Sequence, residues 1–227
     1  MSSAPSKPAR KRTVILISGR GSNMMSLVEA ARAPDYPAEM IAVISNRPEA
    51  PGVAWARAQG IAATVIDHKA YKGREAFEAE LDKALNGLKP DIIALAGFMR
   101  LMTAPFVRRW QDRMINIHPS LLPSFKGLHT HEAALAAGVK IAGCTVHYVR
   151  PEMDAGPIIG QAAVPVLSSD TPETLAARVL SAEHKLYPHA LRLVATGRTT
   201  VADKKVIISE SVINNSSLVS PALPDPA

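Results

Sequence analysis

Apolar and polar positions follow two alternating patterns along most of the chain. Short runs rich in β-branched and aliphatic residues predict five strands, at residues 13–18, 40–45, 61–66, 91–96 and 114–118. Between these runs, apolar residues recur at helical spacing and predict helices at residues 24–32, 53–59, 74–88 and 104–110. Strands that alternate with helices predict an α/β fold, with a Rossmann-like, mostly parallel sheet that has helices on both faces.

The second half of the chain departs from this alternation. A helix is predicted at residues 130–137, but residues 141–149 and 157–167 indicate two strands without a helix between them. Such a pair favours an antiparallel edge on the sheet. Thr171 and Pro172 are then typical of a helix start, and this last helix is predicted to run to about Tyr187, where Pro188 bends or interrupts it.

These elements predict a single domain at residues 13–205, with a disordered leader at 1–12 and a loose tail at 206–227. The formal net charge is +6, and much of that excess lies in the leader, on Lys7, Arg10, Lys11 and Arg12. Lysine and arginine form no cluster in the rest of the chain, so we expect no nucleic-acid partner. A mild positive balance does suit an anionic small substrate.

Cysteine content and hydropathy limit the cellular context. The single cysteine, Cys144, excludes an intramolecular disulfide and any multi-cysteine zinc site. No apolar run approaches the roughly 20 residues needed to span a bilayer, and no signal-type hydrophobic segment follows the leader. We therefore expect a cytoplasmic protein without a membrane partner.

The predicted strand at residues 114–118 ends in two polar side chains. Because strand side chains alternate between faces, Asn116 and His118 point the same way. Pro119 biases His118 toward an extended conformation, and Pro123 keeps the next turn out of a regular ladder. An amide beside an imidazole at a strand end predicts a functional site. Ordinary hydrogen bonding at a strand end is the alternative that these residues leave open.

A glycine-rich loop joins the first predicted strand to the first helix. The N–H groups of Gly21, Ser22 and Asn23 at the helix N-terminus would attract an anion, most often phosphate. Met24 replaces the third glycine of a dinucleotide fingerprint, and Asn46 stands where an acidic residue would bind a ribose. We therefore expect a single phosphate group, not NAD or ATP. A turn in which Ser22 or Asn23 merely caps the helix is the alternative.

Asp154 is the best candidate for a carboxylate near the imidazole. It lies in the loop between the last two predicted strands, where Gly156 and Pro157 predict a sharp bend. If the fold brings Asp154 to His118, the carboxylate would favour a protonated imidazole and hold it as a proton donor. A simple turn residue is the alternative.

Three further histidines, His129, His131 and His147, raise the question of a zinc site. No carboxylate or cysteine completes an expected ligand spacing around them. The sequence therefore favours a site without a metal.

Five motifs occur together in the order and approximate spacing of a known enzyme family. They are Gly21-Ser-Asn, Ala96-Gly-Phe-Met-Arg100, Asn116-Ile-His-Pro-Ser120, Gly127-Leu-His-Thr-His131 and Asp154-Ala-Gly-Pro157. On these residues the sequence resembles the folate-dependent formyltransferases and, within them, the phosphoribosylglycinamide formyltransferases. The resemblance implies transfer of the formyl group of 10-formyltetrahydrofolate to the amino group of glycinamide ribonucleotide, a step of de novo purine biosynthesis.

The resemblance also implies roles for individual residues. Stabilisation of the tetrahedral intermediate and proton transfer would fall on His118, Asn116 and Asp154. The ribonucleotide would contact Gly21, Ser22, Asn23 and Glu183. The folate co-substrate would contact Arg74, Met99, Arg100, Leu101, Met102 and Asn116. The resemblance implies no metal, two small-molecule partners, and a monomer or homodimer.

Other classes share part of this pattern. Formyltetrahydrofolate hydrolase and methionyl-tRNA formyltransferase use the same Asn, His and Asp pattern, but those families carry an additional domain that we do not expect here. A non-catalytic nucleotide-binding regulator would keep ligand binding after loss of His118. An NAD-dependent oxidoreductase would bind nicotinamide, which Met24 and Asn46 disfavour.

Overall fold

The computed structural model describes residues 9–209 together with Leu218 and Ser220. The strands are β1 (Lys11–Ile17), β2 (Ala38–Ser45), β3 (Ala62–Val65), β4 (Ile92–Leu95), β5 (Met114–His118), β6 (Ile141–Tyr148), β7 (Ile158–Pro165), β8 (Thr199–Ala202) and β9 (Lys205–Ile208). The helices are α1 (Ser22–Ala31), α2 (Pro51–Ala58), α3 (Arg74–Leu88), α4 (Ala104–Arg109), α5 (Thr130–Ala136) and α6 (Pro172–Ala195). A short 3-10 helix, His68–Ala70, follows β3.

Seven of the described strands form one sheet, in the order β3-β2-β1-β4-β5-β6-β7. The strands from β3 to β5 pair in parallel, whereas β6 pairs antiparallel with both β5 and β7. The predicted α/β class and the antiparallel edge are therefore confirmed. From β1 to β3 successive strands are added on one side of β1, and from β4 onward they are added on its other side. In open α/β sheets, ligands bind in the crevice that such a reversal leaves beyond the carboxyl ends of the strands.

The inner strands of the sheet, such as β1 and β4, are buried on both faces, which explains their continuous apolar runs. In β1, Ile15 and Ile17 pack in one cluster with side chains of α1, α2 and α6. Val14 and Leu16 point the other way and pack in a second cluster with side chains of α3 and α4. Complete burial of each such aliphatic side chain contributes about 1.5–3 kcal/mol to folding.

Several predicted element bounds agree with the structure. The helix at residues 74–88 and the strand at residues 114–118 have the predicted bounds. Thr171 caps α6 as expected, since its side chain accepts a hydrogen bond from the backbone N–H of Thr174, and Pro172 takes the first helical position. Local sequence signals were strongest at these three places.

The predicted end of the last helix at about Tyr187 is wrong, because α6 continues through Pro188 to Ala195. An interior proline removes one hydrogen bond and costs about 3 kcal/mol. Burial of the flanking turns offsets this cost, since Tyr187 and Leu191 are completely inaccessible to solvent. In addition, the Tyr36 hydroxyl donates a 2.8 Å hydrogen bond to the Pro188 carbonyl. Tertiary packing therefore outweighs the local signal.

The antiparallel hairpin of β8 and β9 was not predicted. It places Val201 and Val206 against the cluster that contains Ile15, and the Tyr148 hydroxyl of β6 lies 2.8 Å from the Thr199 hydroxyl. At the other end, β1 begins at Lys11, two residues before the predicted strand. The predicted division into leader, domain and tail stays a prediction, since residues 1–8 and most of 210–227 lie outside the described residues.

Candidate active site

Strand β5 brings two polar side chains to the carboxyl edge of the sheet. Asn116 is opposite Leu95 of β4 on one side and His147 of β6 on the other. His118 lies on the same face of the strand and is only 5% exposed. The central position of β5 therefore holds both groups between two neighbouring strands.

A buried network holds the turn that follows His118. The Thr145 hydroxyl of β6 donates to the Ser120 carbonyl at 2.7 Å and accepts from the Leu122 N–H at 3.0 Å. The Gln161 amide of β7 donates to the Leu122 carbonyl at 2.9 Å. The peptide bond between Leu122 and Pro123 is cis. These contacts fix the turn to the antiparallel edge and direct the chain back over His118.

The fold brings Asp154 to His118. The carboxylate oxygen Oδ2 of Asp154 lies 3.5 Å from Nδ1 of His118 and accepts a 2.8 Å hydrogen bond from the Gly127 N–H. On the other side of the ring, Nε2 of His118 is 2.9 Å from the Phe125 carbonyl. A carbonyl only accepts, so Nε2 carries a hydrogen and Nδ1 is the nitrogen that faces the carboxylate.

The backbone around Asp154 is tightly constrained. Asp154 itself has a left-handed backbone with φ of 50°, which is uncommon for a residue other than glycine. Two residues later, a Cβ atom on Gly156 would lie 1.6 Å from the Tyr148 carbonyl oxygen. Only glycine can make so close an approach, so Gly156 fixes the loop against β6 and thereby the position of the carboxylate.

The N-terminus of α1 is the second feature of the crevice. Gly21 occupies the cap position with φ of 74°, and among the described residues no side chain caps the helix. The alternative in which Ser22 or Asn23 serves as the cap is therefore wrong. The first N–H groups of α1 lie close to the carboxyl end of β1 and are available for an anion.

A buried carboxylate lies next to this helix end. Glu183 of α6 is 6% exposed and accepts a 2.6 Å hydrogen bond from the side-chain amide of Asn23. Burial raises the pKa of Glu183, and the hydrogen bond from Asn23 opposes this rise only in part. The side-chain oxygen of Asn23 is buried without a hydrogen-bond partner among the described residues. These groups are poorly satisfied by the protein alone, as is common where a ligand completes a site.

The residue at the end of β2 is engaged within the protein. Asn46 is 1% exposed, and its side-chain oxygen accepts a 2.5 Å hydrogen bond from the Ser18 hydroxyl. Ser18 in turn accepts a 2.7 Å hydrogen bond from the Met99 N–H. Asn46 therefore supports the loop after β4 through Ser18.

The predicted folate contacts lie in two different segments. Met99 and Leu101 are exposed in the loop between β4 and α4, while Arg100 and Met102 of the same loop are half-buried. Arg74 is exposed at the first position of α3 and lies on a separate element. The structure therefore groups four of these residues at the carboxyl end of β4, beside Asn116.

Comparison with known proteins shows the family of this chain. Residues 11–191 match the formyl transferase family. The chain belongs to this family. Phosphoribosylglycinamide formyltransferase of Escherichia coli K12 is 42% identical over 185 residues, which are 82% of this chain and 87% of that protein. The crystal structure of glycinamide ribonucleotide transformylase 1 from Symbiobacterium toebii is 43% identical with a TM-score of 0.87, and the match covers 91% of this chain and 98% of that one.

A longer relative contains the same formyl transferase region. The trifunctional purine biosynthetic protein adenosine-3 of Bos taurus is 50% identical over 197 residues, which are 87% of this chain and 20% of that protein. The chain therefore spans about a fifth of the length of this relative.

Sequence reasoning missed one member of this candidate site. His147 was considered only as a zinc ligand, yet its Nε2 lies 3.3 Å from the Asn116 amide nitrogen and 3.9 Å from an Asp154 oxygen. Strand alternation could have revealed it, because Thr145 and His147 are two polar residues on the same face of a buried strand. The described residues hold no group of three or more potential metal ligands, and the absence of a metal stays a prediction.

Proposed function

We propose that this protein transfers the formyl group of 10-formyltetrahydrofolate to the amino group of glycinamide ribonucleotide. The observation that carries the proposal is the buried His118–Asp154 pair beside Asn116, at the edge of the crevice that also contains the α1 N-terminus. The names of the Escherichia coli and Symbiobacterium toebii relatives support this choice of substrates.

In this proposal, one nitrogen of His118 orients the ring and the other takes part in the reaction. The hydrogen bond from Nε2 to the Phe125 carbonyl orients the ring, so that Nδ1 faces Asp154 across 3.5 Å. This separation is longer than a good N–H···O bond and leaves the Nδ1 hydrogen partly free for a second acceptor. A proton on Nδ1 makes the ring cationic, and the neighbouring carboxylate attracts that charge. His118 would thus supply a hydrogen bond or a proton to a developing anion.

Asn116 would act beside it. Asn116 lies two residues before His118 on the same face of β5, so both side chains can donate hydrogen bonds into the same part of the crevice. Donors that are already in place where negative charge develops lower a reaction barrier, and loss of one such donor costs about 2.7–4 kcal/mol. The co-substrate would supply an activated formyl group, and Asn116 and His118 would bind its oxygen as the substrate amine attacks.

The described surface offers apolar contacts to the ring system of a folate co-substrate. Four of the exposed large hydrophobic side chains lie in the loops that surround the His118–Asp154 pair, namely Met99, Leu101, Leu128 and Met153. The methyl group of Met153 approaches Gly127, whose N–H binds Asp154. An aromatic ring system that covers these side chains would remove apolar surface from water. We therefore assign the folate to this side of the crevice.

The ribonucleotide would occupy the other side. Its phosphate would accept hydrogen bonds from the N–H groups of Gly21, Ser22 and Asn23, where the helix dipole also attracts an anion. Glu183 would accept hydrogen bonds from hydroxyl or amino groups of the same ligand, which would replace the water lost on burial of the carboxylate. The substrate amine would then point along the crevice toward His118.

The deciding experiment is an absorbance assay of deformylation of 10-formyltetrahydrofolate, with and without glycinamide ribonucleotide. We expect turnover that requires the ribonucleotide and falls about 100- to 1000-fold in His118→Ala, because an oxyanion donor is lost. His189→Ala, which changes an exposed histidine of α6, is the matched control and should retain full activity.

Two results would contradict the proposal. Turnover that is equally fast without the ribonucleotide would indicate a hydrolase. Binding of either ligand without any turnover would indicate a non-catalytic regulator.

No helix in the described part of the chain is long and apolar enough to cross a membrane. The cytoplasmic location and the monomeric or dimeric state stay predictions.

A further inference from the structure

His147 is a buried histidine that the proposed mechanism does not use. It lies on β6, is 3% exposed, and is directly opposite Asn116 in the antiparallel ladder. Its Nδ1 is 2.9 Å from the Tyr148 carbonyl oxygen, so Nδ1 carries a hydrogen and donates it. Its Nε2 faces the amide nitrogen of Asn116 at 3.3 Å. One ring thus spans from the backbone of β6 to a candidate catalytic side chain.

The protonation state of this ring follows from its surroundings. Burial is the largest influence and lowers the pKa of His147; the hydrogen bond to Tyr148 and the charge of Asp154 oppose that shift, while His118 and Lys126 add to it. The ring is therefore neutral near pH 7, with its single hydrogen on Nδ1. Nε2 then holds a lone pair and can only accept.

A neutral ring selects one of the two orientations of the Asn116 side chain. With the amide nitrogen toward Nε2, an N–H group donates to the lone pair. With the amide turned over, its oxygen would face that lone pair at the same distance, and two acceptors would repel each other. The amide nitrogen carries two hydrogens, so the second N–H remains available after the first binds His147.

We infer that His147 is a positioning residue that fixes the Asn116 amide with its N–H groups toward the reacting centre. The inference rests on the proposed function, since it assigns Asn116 as a hydrogen-bond donor in the reaction. An Asp154 oxygen also lies 3.9 Å from Nε2 of His147. Because a ring without a hydrogen on Nε2 cannot donate to Asp154, that carboxylate interacts with His118 instead.

Two substitutions at position 147 test the hydrogen-bond acceptor at Nε2 separately from the contact that Nδ1 makes with Tyr148. In His147→Gln, the amide oxygen reaches about as far as Nε2 and can still accept from Asn116. In His147→Asn, the shorter side chain reaches only as far as Nδ1, so the contact with Tyr148 is retained and the acceptor is lost. We expect kcat to fall about tenfold in His147→Asn, as for loss of one hydrogen bond, and less than threefold in His147→Gln. KM for both substrates should stay within about twofold in each variant.

A double-mutant cycle with Asn116→Ala then tests the coupling. If His147 acts through Asn116, His147→Asn will reduce kcat little further once Asn116 is alanine. An equal loss in both backgrounds, or an equal loss in the Gln and Asn variants, would overturn the inference. The thermal midpoint of each variant is measured in parallel, so that unfolding is not mistaken for a change in kcat.

A measurement without turnover keeps the inference testable if the proposed function fails. In the wild-type protein labelled with ¹⁵N at histidine, we expect His147 to show a protonated Nδ1 and an unprotonated Nε2 near pH 7. A hydrogen on Nε2 would overturn the inference whatever the activity is. Absence of ribonucleotide-dependent turnover together with the expected tautomer would instead reject the proposed function alone.

Discussion

The crevice holds two carboxylates in different surroundings. Asp154 faces the His118 ring and accepts a 2.8 Å hydrogen bond from the Gly127 N–H, so the protein itself supplies partners for its negative charge. Glu183 has the Asn23 amide as a donor, and burial raises its pKa. The first carboxylate is thus prepared in the free protein, whereas the second is left partly unsatisfied until a ligand arrives.

The two carboxylates mark two ends of the crevice, and these ends are formed by different kinds of segment. The anion-binding end consists of consecutive backbone groups at the start of α1, set by the left-handed conformation of Gly21. The catalytic end combines β5 with the loop between β6 and β7, which are far apart in sequence. A single substitution at the start of α1 should therefore have a mild effect on the anion-binding end. The catalytic end should be more sensitive, because it depends on the close approach of one loop to β6.

The largest effect should follow from Gly156→Ala, which breaks the catalytic end. The new Cβ would lie 1.6 Å from the Tyr148 carbonyl oxygen, and neither atom can move without displacing the loop from β6. We expect a loss of about 3 kcal/mol or more in the free energy of unfolding, measured by urea denaturation, and a kcat at least tenfold lower.

A matched control for this variant is Gly87→Ala, since no described atom lies within 4 Å of a Cβ at that helical position. Alanine there should stabilise the protein by about 0.5–1 kcal/mol and leave kcat unchanged. Wild-type stability in Gly156→Ala would show that the loop does not depend on this approach.

Local sequence signals could predict much of the fold. The alternation of apolar and polar residues in β5 and the helical spacing of Phe77, Leu81 and Leu85 predicted the bounds of both elements, because these patterns match the period of each structure. The N-terminus of α1 was also predictable, since a strand, two glycines and a helix follow one another directly.

The remaining features depend on contacts between distant segments. Pro188 signals a helix end, but packing of Tyr187 and a hydrogen bond from Tyr36 keep the helix intact. Asp154 has a left-handed backbone in a loop that approaches Tyr148 closely at Gly156. His147 gained its importance only when β6 paired with β5. Residue order alone does not show which strands become neighbours.

An intermediate effect is expected from Gly21→Ala, which tests the anion-binding end. Alanine at φ of 74° is strained by about 1–2 kcal/mol, and its Cβ would lie 2.9 Å from the terminal methyl of Met24, which can move aside. We expect a lower thermal midpoint and a raised KM for the ribonucleotide, with a much smaller change in the KM for the folate. Gly19→Ala in the same loop is the stability control, since no described atom lies within 4 Å of its Cβ and its φ is not left-handed.

The smallest effect, and the one that separates the two carboxylates, should come from Glu183→Gln. The raised pKa of Glu183 means that its stabilising contribution is present below its ordinary value of 4.5 and is lost as pH rises through the folded-state value. The amide variant avoids this loss and can still accept the hydrogen bond from Asn23. Without ligand, we therefore expect the variant to be more stable than wild type at pH 7 by on the order of 1 kcal/mol in the free energy of unfolding, or about 2–4 °C in the thermal midpoint.

This gain should disappear at pH 4 and should be accompanied by weaker ribonucleotide binding, since a ligand that donates to Glu183 prefers the charged oxygen. Thermal midpoints at both pH values, with and without ribonucleotide, test the two effects together. Glu29→Gln on the exposed face of α1 should change the free energy of unfolding by less than about 0.5 kcal/mol at either pH. A loss of stability at pH 7 in Glu183→Gln would mean that the protein already satisfies this carboxylate, and the contrast with Asp154 would then be wrong.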